Sequence, residues 1–330
     1  MIAATRPCPI ITIVTPVFNE AENLRRYEPA IRAQLMSQTD FDFRVLFVED
    51  GSRDRSWEII NEISRRDARF QGIRLSRNFG SHIALSAGLH HAAGNAVALL
   101  ACDLQDPPEV VLEFARKWQG GVHIVWGKRR TRADRAWRVA ASKSFEWLTR
   151  RYAMPRGSRF TTGSFLLMDR KVLDCFLQFR ERNRVTFALV AWTGFEQATV
   201  EYDRRSREAG VSSWKWHGML KTAYDTFLAF SKLPFGIMTA VGATMFCLSI
   251  PFSLYLVICY LTGNPRPGWT SIMLALVMFF GLQFMLLSLL GEYLFRIFSE
   301  VVDRPLFFVS EQTALVKEEV HGEPPLSRAG

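Results

Sequence analysis

The sequence predicts an α/β domain on a largely parallel sheet, followed by amphipathic interfacial helices and a two-helix transmembrane hairpin. Three observations carry this expectation. Short apolar runs alternate with helical patterns through the first hundred residues. One run ends abruptly in Ala101-Cys102-Asp103-Leu104-Gln105-Asp106-Pro107-Pro108-Glu109, which places acids and an amide where two prolines stop a strand. Two later stretches, 235–261 and 269–291, hold 27 and 23 residues without a charge, each above the roughly 20 that cross a bilayer as a helix.

Taken in order, 10–14 is the first strand, ending in Thr15-Pro16-Val17-Phe18-Asn19-Glu20, with a helix after it to about 38. Residues 43–48 form the next strand. It closes on Glu49-Asp50-Gly51-Ser52-Arg53-Asp54, and 57–65 then has helical spacing. A third strand at 72–75 leads to Arg77-Asn78-Phe79-Gly80, a helix of small residues, and the strand at 96–101. This βαβαβαβ series gathers its turns at the carboxyl edge of a parallel sheet, where ligands bind in open α/β folds. Hard oxygen ligands there suit Mg²⁺ or Mn²⁺ carrying a diphosphate. The alternative is purely local: Asp106 as a helix cap with Pro107 or Pro108 in its first turn, Asp50 as a cap after Gly51, and Glu20 as a first-turn acid.

The length of 330 residues allows one large domain or two smaller ones. The net charge of +9 is local, because 128–159 holds eleven Lys or Arg against Asp134 and Glu146, an excess equal to that of the whole chain. Such a segment meets lipid headgroups, a phosphate-bearing substrate or nucleic acid, or is a solvated charged helix. The five cysteines have no metal-type or CxxC spacing, so no zinc site or disulfide framework is implied. Neither a Gly-x-Gly-x-x-Gly turn nor a phosphate loop ending in Gly-Lys-Ser/Thr occurs, which leaves metal ions and arginines to hold phosphates.

The two charge-free runs flank Thr262-Gly263-Asn264-Pro265-Arg266-Pro267-Gly268, a turn-rich loop with one cation. Lys215, Lys221 and Lys232 precede the pair and Arg296 and Arg304 follow it, so both ends of the hairpin are expected on the cytoplasmic side. Residues 1–9 carry no apolar core of secretory type. Before the hairpin, Trp216, Leu220, Ala223, Phe227 and Phe230 recur at steps of four and three, the stripe of a helix lying in the membrane interface or of an ordinary core helix. The expected organisation is a cytosolic domain over 1–210, an interfacial segment over 211–233, a hairpin over 234–300, and a cytosolic tail over 301–330. Glu292 and Arg296 can pair across one helical turn, and the polar stretch 311–330 has the composition of a disordered end.

Three of these motifs resemble the signatures of glycosyltransferase family 2, in its polyprenyl-phosphate sugar transferase branch. They are Thr15-Pro16-Val17-Phe18-Asn19-Glu20, Val48-Glu49-Asp50-Gly51-Ser52 and Asp103-Leu104-Gln105-Asp106-Pro107-Pro108-Glu109. Gly291-Glu292-Tyr293-Leu294-Phe295-Arg296 with Arg304-Pro305 is similar to the tail of bactoprenol glucosyltransferases. The resemblance implies a GT-A-like fold in which Pro16, Phe18, Glu20 and Asp50 hold the base and ribose of a nucleotide-sugar. It places Asp103 and Gln105 at the metal and diphosphate. It matches Arg129, Arg138 and Ser142 to an arrangement that binds the acceptor phosphate in dolichyl-phosphate mannose synthases, and Arg207, in Arg207-Glu208-Ala209-Gly210-Val211-Ser212, to an arginine reaching the donor diphosphate. Homo-oligomeric assembly, such as a tetramer, is a further implication. Asp103, Gln105, Arg129 and Arg138 are the expected catalytic residues.

The chain departs from the family's pattern in three places. The usual Asp-x-Asp pair is Ala101-Cys102-Asp103, a Gly-Asp-Phe-Arg element is Gly163-Ser164-Phe165-Leu166, and a serine-lysine is Ser212-Ser213. The missing first carboxylate weakens the expected Mg²⁺ or Mn²⁺ site unless Asp106 or Glu49 contributes.

The resulting expectation is an enzyme at the inner (cytoplasmic) membrane that moves a sugar from a nucleotide donor, UDP-linked by choice, to a polyprenyl phosphate with inversion, for cell-envelope glycans. A lipid monophosphate, with a second pKa of about 6 like that of a phosphoprotein, is mostly dianionic near neutrality. It needs no general base. His82, His90 and His91 are accordingly expected to be structural. The rival readings are a catalytically inactive lipid- or sugar-binding membrane partner and a processive polysaccharide synthase, which lacks support because no Gln-x-x-Arg-Trp element is present. A nucleic-acid binder is disfavoured by the acid-lined strand ends.

Overall fold

In a computed structural model the described residues are 8–130, 164–181, 185–205, 268–302 and 304–313, with isolated positions between 244 and 262. The chain divides into two compact units, Met1–Ala223 with Pro305–Gly330, and Tyr224–Arg304. The first begins with β1 (Ile10–Val17), α1 (Ala21–Gln34), β2 (Asp42–Glu49), α2 (Ser56–Arg66) and β3 (Phe70–Leu75). It continues through α3 (Ser81–His91), β4 (Ala96–Leu99), α4 (Val110–Gln119), β5 (Ile124–Arg129), β6 (Leu166–Asp169), α5 (Arg170–Leu177), α6 (Thr186–Trp192) and β7 (Gln197–Tyr202). The second unit contributes α7 (Trp269–Val301), after which β8 (Val309–Gln312) returns to the first.

These strands form one sheet in the order β7-β5-β6-β4-β1-β2-β3-β8. β6 runs antiparallel to β4 and β5, and β8 antiparallel to β3, while every other pairing is parallel. The carboxyl ends of β1, β2, β3, β4, β5 and β7 therefore share one edge. Both faces are covered, which is why the inner strands are continuous apolar runs rather than alternating ones. On one face Ile11, Ile13, Phe43, Phe47 and Phe70 join Leu24, Tyr27 and Ile31 of α1, Ile60 of α2 and Phe114 of α4 in one cluster. α3 packs on β1 and β2 from the opposite face, beside α5 and α6. Its small residues allow that approach, since a Cβ at Gly88 would lie 2.3 Å from Val14 Cγ1.

Several expectations change. β1 reaches Val17, so Pro16 lies inside the strand in register with Val48. β4 pairs only as far as Val14, so beyond that point β1 has one neighbour and tolerates a residue without an N–H. β4 itself stops at Leu99, two residues early. α4 begins at Val110 with Glu109 at its N-cap and no side-chain cap bond, so Asp106 does not cap it. Glu311 and Gln312, assigned from composition to a disordered end, lie in β8, where Arg74 and Trp57 hold the Glu311 carboxylate.

The expected hairpin is not seen. Only isolated positions of its first arm, 235–261, are described. Counted over the described residues alone, no helix is long and apolar enough to cross a membrane. α7 is nevertheless continuous over 33 residues, with many of its side chains outside the description.

Away from the sheet edge, the α2–β3 turn is fixed by charge. The Asp67 carboxylate accepts from Arg69 Nη2 at 2.8 Å and from Arg32, which also pairs with Glu28 and lies over the Phe70 ring. The Arg69 bond, with Arg32 beside it, holds the Asp67 carboxyl well below the usual carboxylate range. A depressed acid contributes stability above its unfolded pKa of about 3.9 and loses it as pH falls toward the folded value. Asp67→Asn is expected to cost about 1–2 kcal/mol at neutral pH. Thermal melts should show that difference shrinking as pH drops below about 4; a constant difference would refute the assignment.

Candidate active site

The turns after β1 and β2 are stitched together by short polar side chains. Asn19, at φ 54°, donates its N–H to Ser52 Oγ at 2.9 Å and accepts from Arg53 N through Oδ1 at 3.0 Å. Glu20 N donates to Ser56 Oγ at 3.1 Å, and Ala21 N to Asp54 Oδ2 at 3.0 Å. The turn after β2 thus satisfies the first orphan amides of α1, a capping role usually filled locally. Tyr27 anchors the helix beneath, with its hydroxyl 2.6 Å from Thr15 Oγ1 and its pKa pushed far up by burial.

The turn after β3 is tied to the same place. Asp50, almost fully buried, accepts from Phe79 N at 2.7 Å and Gly80 N at 2.9 Å. Burial raises its pKa, and those two N–H groups oppose the rise. Asp50 therefore caps the approach to α3, not the helix that follows Gly51. Beside it, Glu49 is wholly buried and bonds Ser52 N and Arg74 Nε.

At the end of β4, Asp103 Oδ1 accepts from Gln105 N at 3.2 Å across Leu104, which adopts φ 53°. This Asx-type turn leaves carboxylate and amide side chains together at the sheet edge. Its second half is clamped from β7: Arg205 N donates to Gln105 O at 2.9 Å, and Arg205 pairs with Glu109. Tyr202 Oη donates to buried Asp106 at 2.5 Å, and Arg204 Nε lies 3.4 Å from the same carboxylate. Burial, then the Asp106 charge, pushes the Tyr202 hydroxyl pKa up.

The sequence-predicted residues fall as follows. Pro16, Phe18, Glu20, Asp50, Asp103, Gln105 and Arg129 all occupy the carboxyl edge of the sheet. Phe18 is 43% exposed, an aromatic face open to a planar ligand. Glu20 receives a bond from Asn23 Nδ2, and together with Asp103 it raises the pKa of the Cys102 thiol, whose largest cause is burial. The carboxylates of two neighbouring strand ends therefore act on one buried group. Arg129 ends β5 opposite Tyr202 of β7 and bonds its hydroxyl, while its buried Nε has no hydrogen-bond partner among the described residues. Arg138, Ser142 and Arg207 lie outside the described residues. The three histidines have structural surroundings: His82 packs against Phe187, while His90 and His91 bond carbonyls one turn back and meet Phe307.

Asp103 and Gln105 are hard oxygen donors, and among the described residues no cluster of three His, Cys, Asp or Glu could hold a metal ion. Mg²⁺ is commonly bound through one or two carboxylates plus substrate phosphates. The residues fit a divalent ion of that shared kind, with Ala101 withdrawing the second carboxylate.

Sequence reasoning missed the clamp formed by Tyr202, Arg204 and Arg205, and it missed Asn19, Ser52 and Asp54. The adjacent arginines at 204–205 were the available signal for the first. The Asn and Ser residues within acid-rich turns were the signal for the second.

Residues 12–177 match the family described as Glycosyl transferase family 2. The uncharacterized glycosyltransferase sll0501 of Synechocystis sp. is 35% identical over 303 residues, covering 91% of this chain and 95% of that protein. The bactoprenol glucosyl transferase of Shigella phage SfII is 32% identical over 303 residues, covering 91% and 97%. Among solved structures, a mannosyltransferase from Pyrobaculum calidifontis in complex with GDP-Man and Mn²⁺ aligns with 78% of this chain and 83% of its own, at 17% identity and a TM-score of 0.45. With the family's pattern spread over its acidic strand ends and relatives matched along nearly their whole length, the chain belongs to glycosyl transferase family 2 and is a glycosyltransferase.

Proposed function

We propose that this enzyme transfers a sugar from a nucleotide-sugar, UDP-linked, to the phosphate of a polyprenyl phosphate at the cytoplasmic face of a membrane, with inversion. The carrying observation is the convergence of Glu20, Asp50, Asp103, Gln105 and Arg129 on one sheet edge. Relatives named bactoprenol glucosyl transferase support a polyprenyl phosphate as acceptor.

The chemistry follows from charge. A dianionic phosphate oxygen attacks the anomeric carbon, forming the new C–O bond as the bond to the nucleoside diphosphate breaks. No proton has to be removed. What the protein must do is bring two anions together and hold them in line. In this reading Arg129, whose guanidinium also bonds the Tyr202 hydroxyl, receives the acceptor phosphate together with Arg138 and Ser142. Phe18 and the turn around Asp50 take the nucleotide, and Arg207 the diphosphate. Asp103 and Gln105 would hold Mg²⁺ or Mn²⁺, which when bound neutralises charge on the departing diphosphate.

A lipid acceptor calls for a membrane-attached enzyme. The charge-free runs 235–261 and 269–291 are the two arms of a hairpin in this reading, with 211–233 lying in the interface. Along α7, Ile272, Leu276, Phe279, Phe280, Leu287, Leu290 and Leu294 are exposed, an apolar stripe longer than water-facing surfaces usually carry. Inner-membrane location, cytoplasmic termini and homo-oligomeric assembly complete the proposal.

The test uses purified full-length protein, undecaprenyl phosphate, and UDP- and GDP-sugars with and without Mg²⁺ or Mn²⁺, with product scored by mass. One glycolipid carrying a single sugar is expected from one donor. A polymer would favour a processive synthase. No product from folded protein would favour an inactive binding partner, the reading that Ala101 supports.

A further inference from the structure

The edge strand of the catalytic sheet comes from the far end of the chain and reaches the candidate donor turns through a line of charge. Glu49, Arg74 and Glu311 lie directly opposite one another on β2, β3 and β8. Glu311 Oε1 accepts from Arg74 Nη1 at 2.7 Å, and Arg74 Nε donates to Glu49 Oε2 at 2.9 Å. The other Glu49 oxygen accepts from Ser52 N, and Ser52 Oγ accepts from Asn19 N. Trp57 Nε1 fixes the second Glu311 oxygen at 2.9 Å. The strand itself is registered by Gly72 N to Thr313 Oγ1 at 3.1 Å and Ser76 N to Phe308 O at 2.9 Å.

We propose that Glu311 and Arg74 are positioning residues for the nucleotide half of the donor, acting through Glu49. A fully buried carboxylate holds its charge only while paired. Arg74 is 33% exposed and is kept against Glu49 by a second carboxylate on its outer side. Without Glu311 the guanidinium is free to turn to solvent. Glu49 then loses its partner, and the Ser52 amide that it orients, one residue beyond Gly51, loses its fixed direction. The turns carrying Asn19, Glu20 and Asp50 slacken together, because Ser52 joins them.

This inference rests on the reading that those turns bind the donor nucleotide. UDP and GDP, each with Mn²⁺, are titrated calorimetrically into full-length wild type, Glu311→Ala and Glu311→Gln, with thermal melts alongside. The alanine variant is expected to bind nucleotide about tenfold more weakly. The glutamine variant, whose amide oxygen still accepts from Arg74, should stay within about threefold of wild type and melt within about 3 °C of it, whereas the alanine variant, which leaves buried Glu49 unpaired, should melt lower while staying folded at the titration temperature. A lower melting temperature with unchanged nucleotide affinity would make Glu311 an edge-strand stabiliser and overturn the proposal. Equal weakening in both variants would overturn the relay through Arg74. Wild type that binds neither nucleotide would overturn the donor reading itself.

Discussion

Replacing Asp103 with alanine is expected to slow sugar transfer by about 10²–10³-fold while the protein stays folded. In the proposed reading the carboxylate would hold the divalent ion that neutralises charge on the leaving diphosphate, and losing electrostatic stabilisation of that kind costs about 3–4 kcal/mol of the barrier. Ala101 sharpens the expectation. One acid of the usual pair is absent, and Asp106 farther along the loop is already engaged by Tyr202 and Arg204. The structural cost should be small, since among the described residues Asp103 bonds Gln105 N within its own turn. Asp103→Asn separates the two roles, because an amide oxygen preserves that bond but removes the charge. Initial rates of glycolipid formation should fall nearly as far for asparagine as for alanine. Recovery of most activity by asparagine would mean that Asp103 serves turn geometry rather than charge.

The inner sheet was legible because its strands are covered on both faces and announce themselves as apolar runs, as at 43–48 and 72–75. The outer strands were not. β6 is four residues long, and β7, Gln-Ala-Thr-Val-Glu-Tyr, mixes buried and partly exposed positions with polar side chains among its members. β8 was hidden more thoroughly, since Glu311 and Gln312 belong to a sheet only because Arg74 and Trp57 wait for them more than 230 residues earlier. Composition reports the solubility of a segment, whereas pairing depends on partners that composition cannot name.

The same contrast holds at the candidate site. Acids at strand ends marked Asp50 and Asp103 from sequence, because charge next to an apolar run is a local pattern. What those acids bond is not local. Asp50 reaches Phe79 and Gly80, and Asp106 reaches Tyr202, 96 residues away. The local alternative that made Asp106 a helix cap failed for this reason. Sequence spacing offered it the next helix, but burial beside Tyr202 and Arg204 offered a donor and a countercharge.

Gly51→Ala is expected to be the most damaging single methyl in the first unit. Gly51 sits at φ +69°, a left-handed conformation that costs an alanine about 1–2 kcal/mol. Its Cβ would also fall 2.5 Å from both Arg77 C and Asn78 N, which are backbone atoms with no rotamer to yield. Relieving that overlap by moving the turn costs a further 1–3 kcal/mol or so. The movement is not free to go anywhere. Asp50 on one side holds Phe79 and Gly80, and Ser52 on the other holds Asn19, so displacing Gly51 shifts three turns of the candidate site together. Melting should fall by roughly 5–15 °C for a domain of this size, and nucleotide affinity should fall with it. Gly88→Ala serves as the comparison, since its new Cβ would crowd the side chains of Val14 and Val48 beneath the sheet rather than the backbone of a turn. Stability should drop there with nucleotide affinity retained in the folded fraction. If Gly51→Ala behaved like Gly88→Ala, the close approach of the β2 and β3 turns would be a packing detail rather than the frame of a donor pocket.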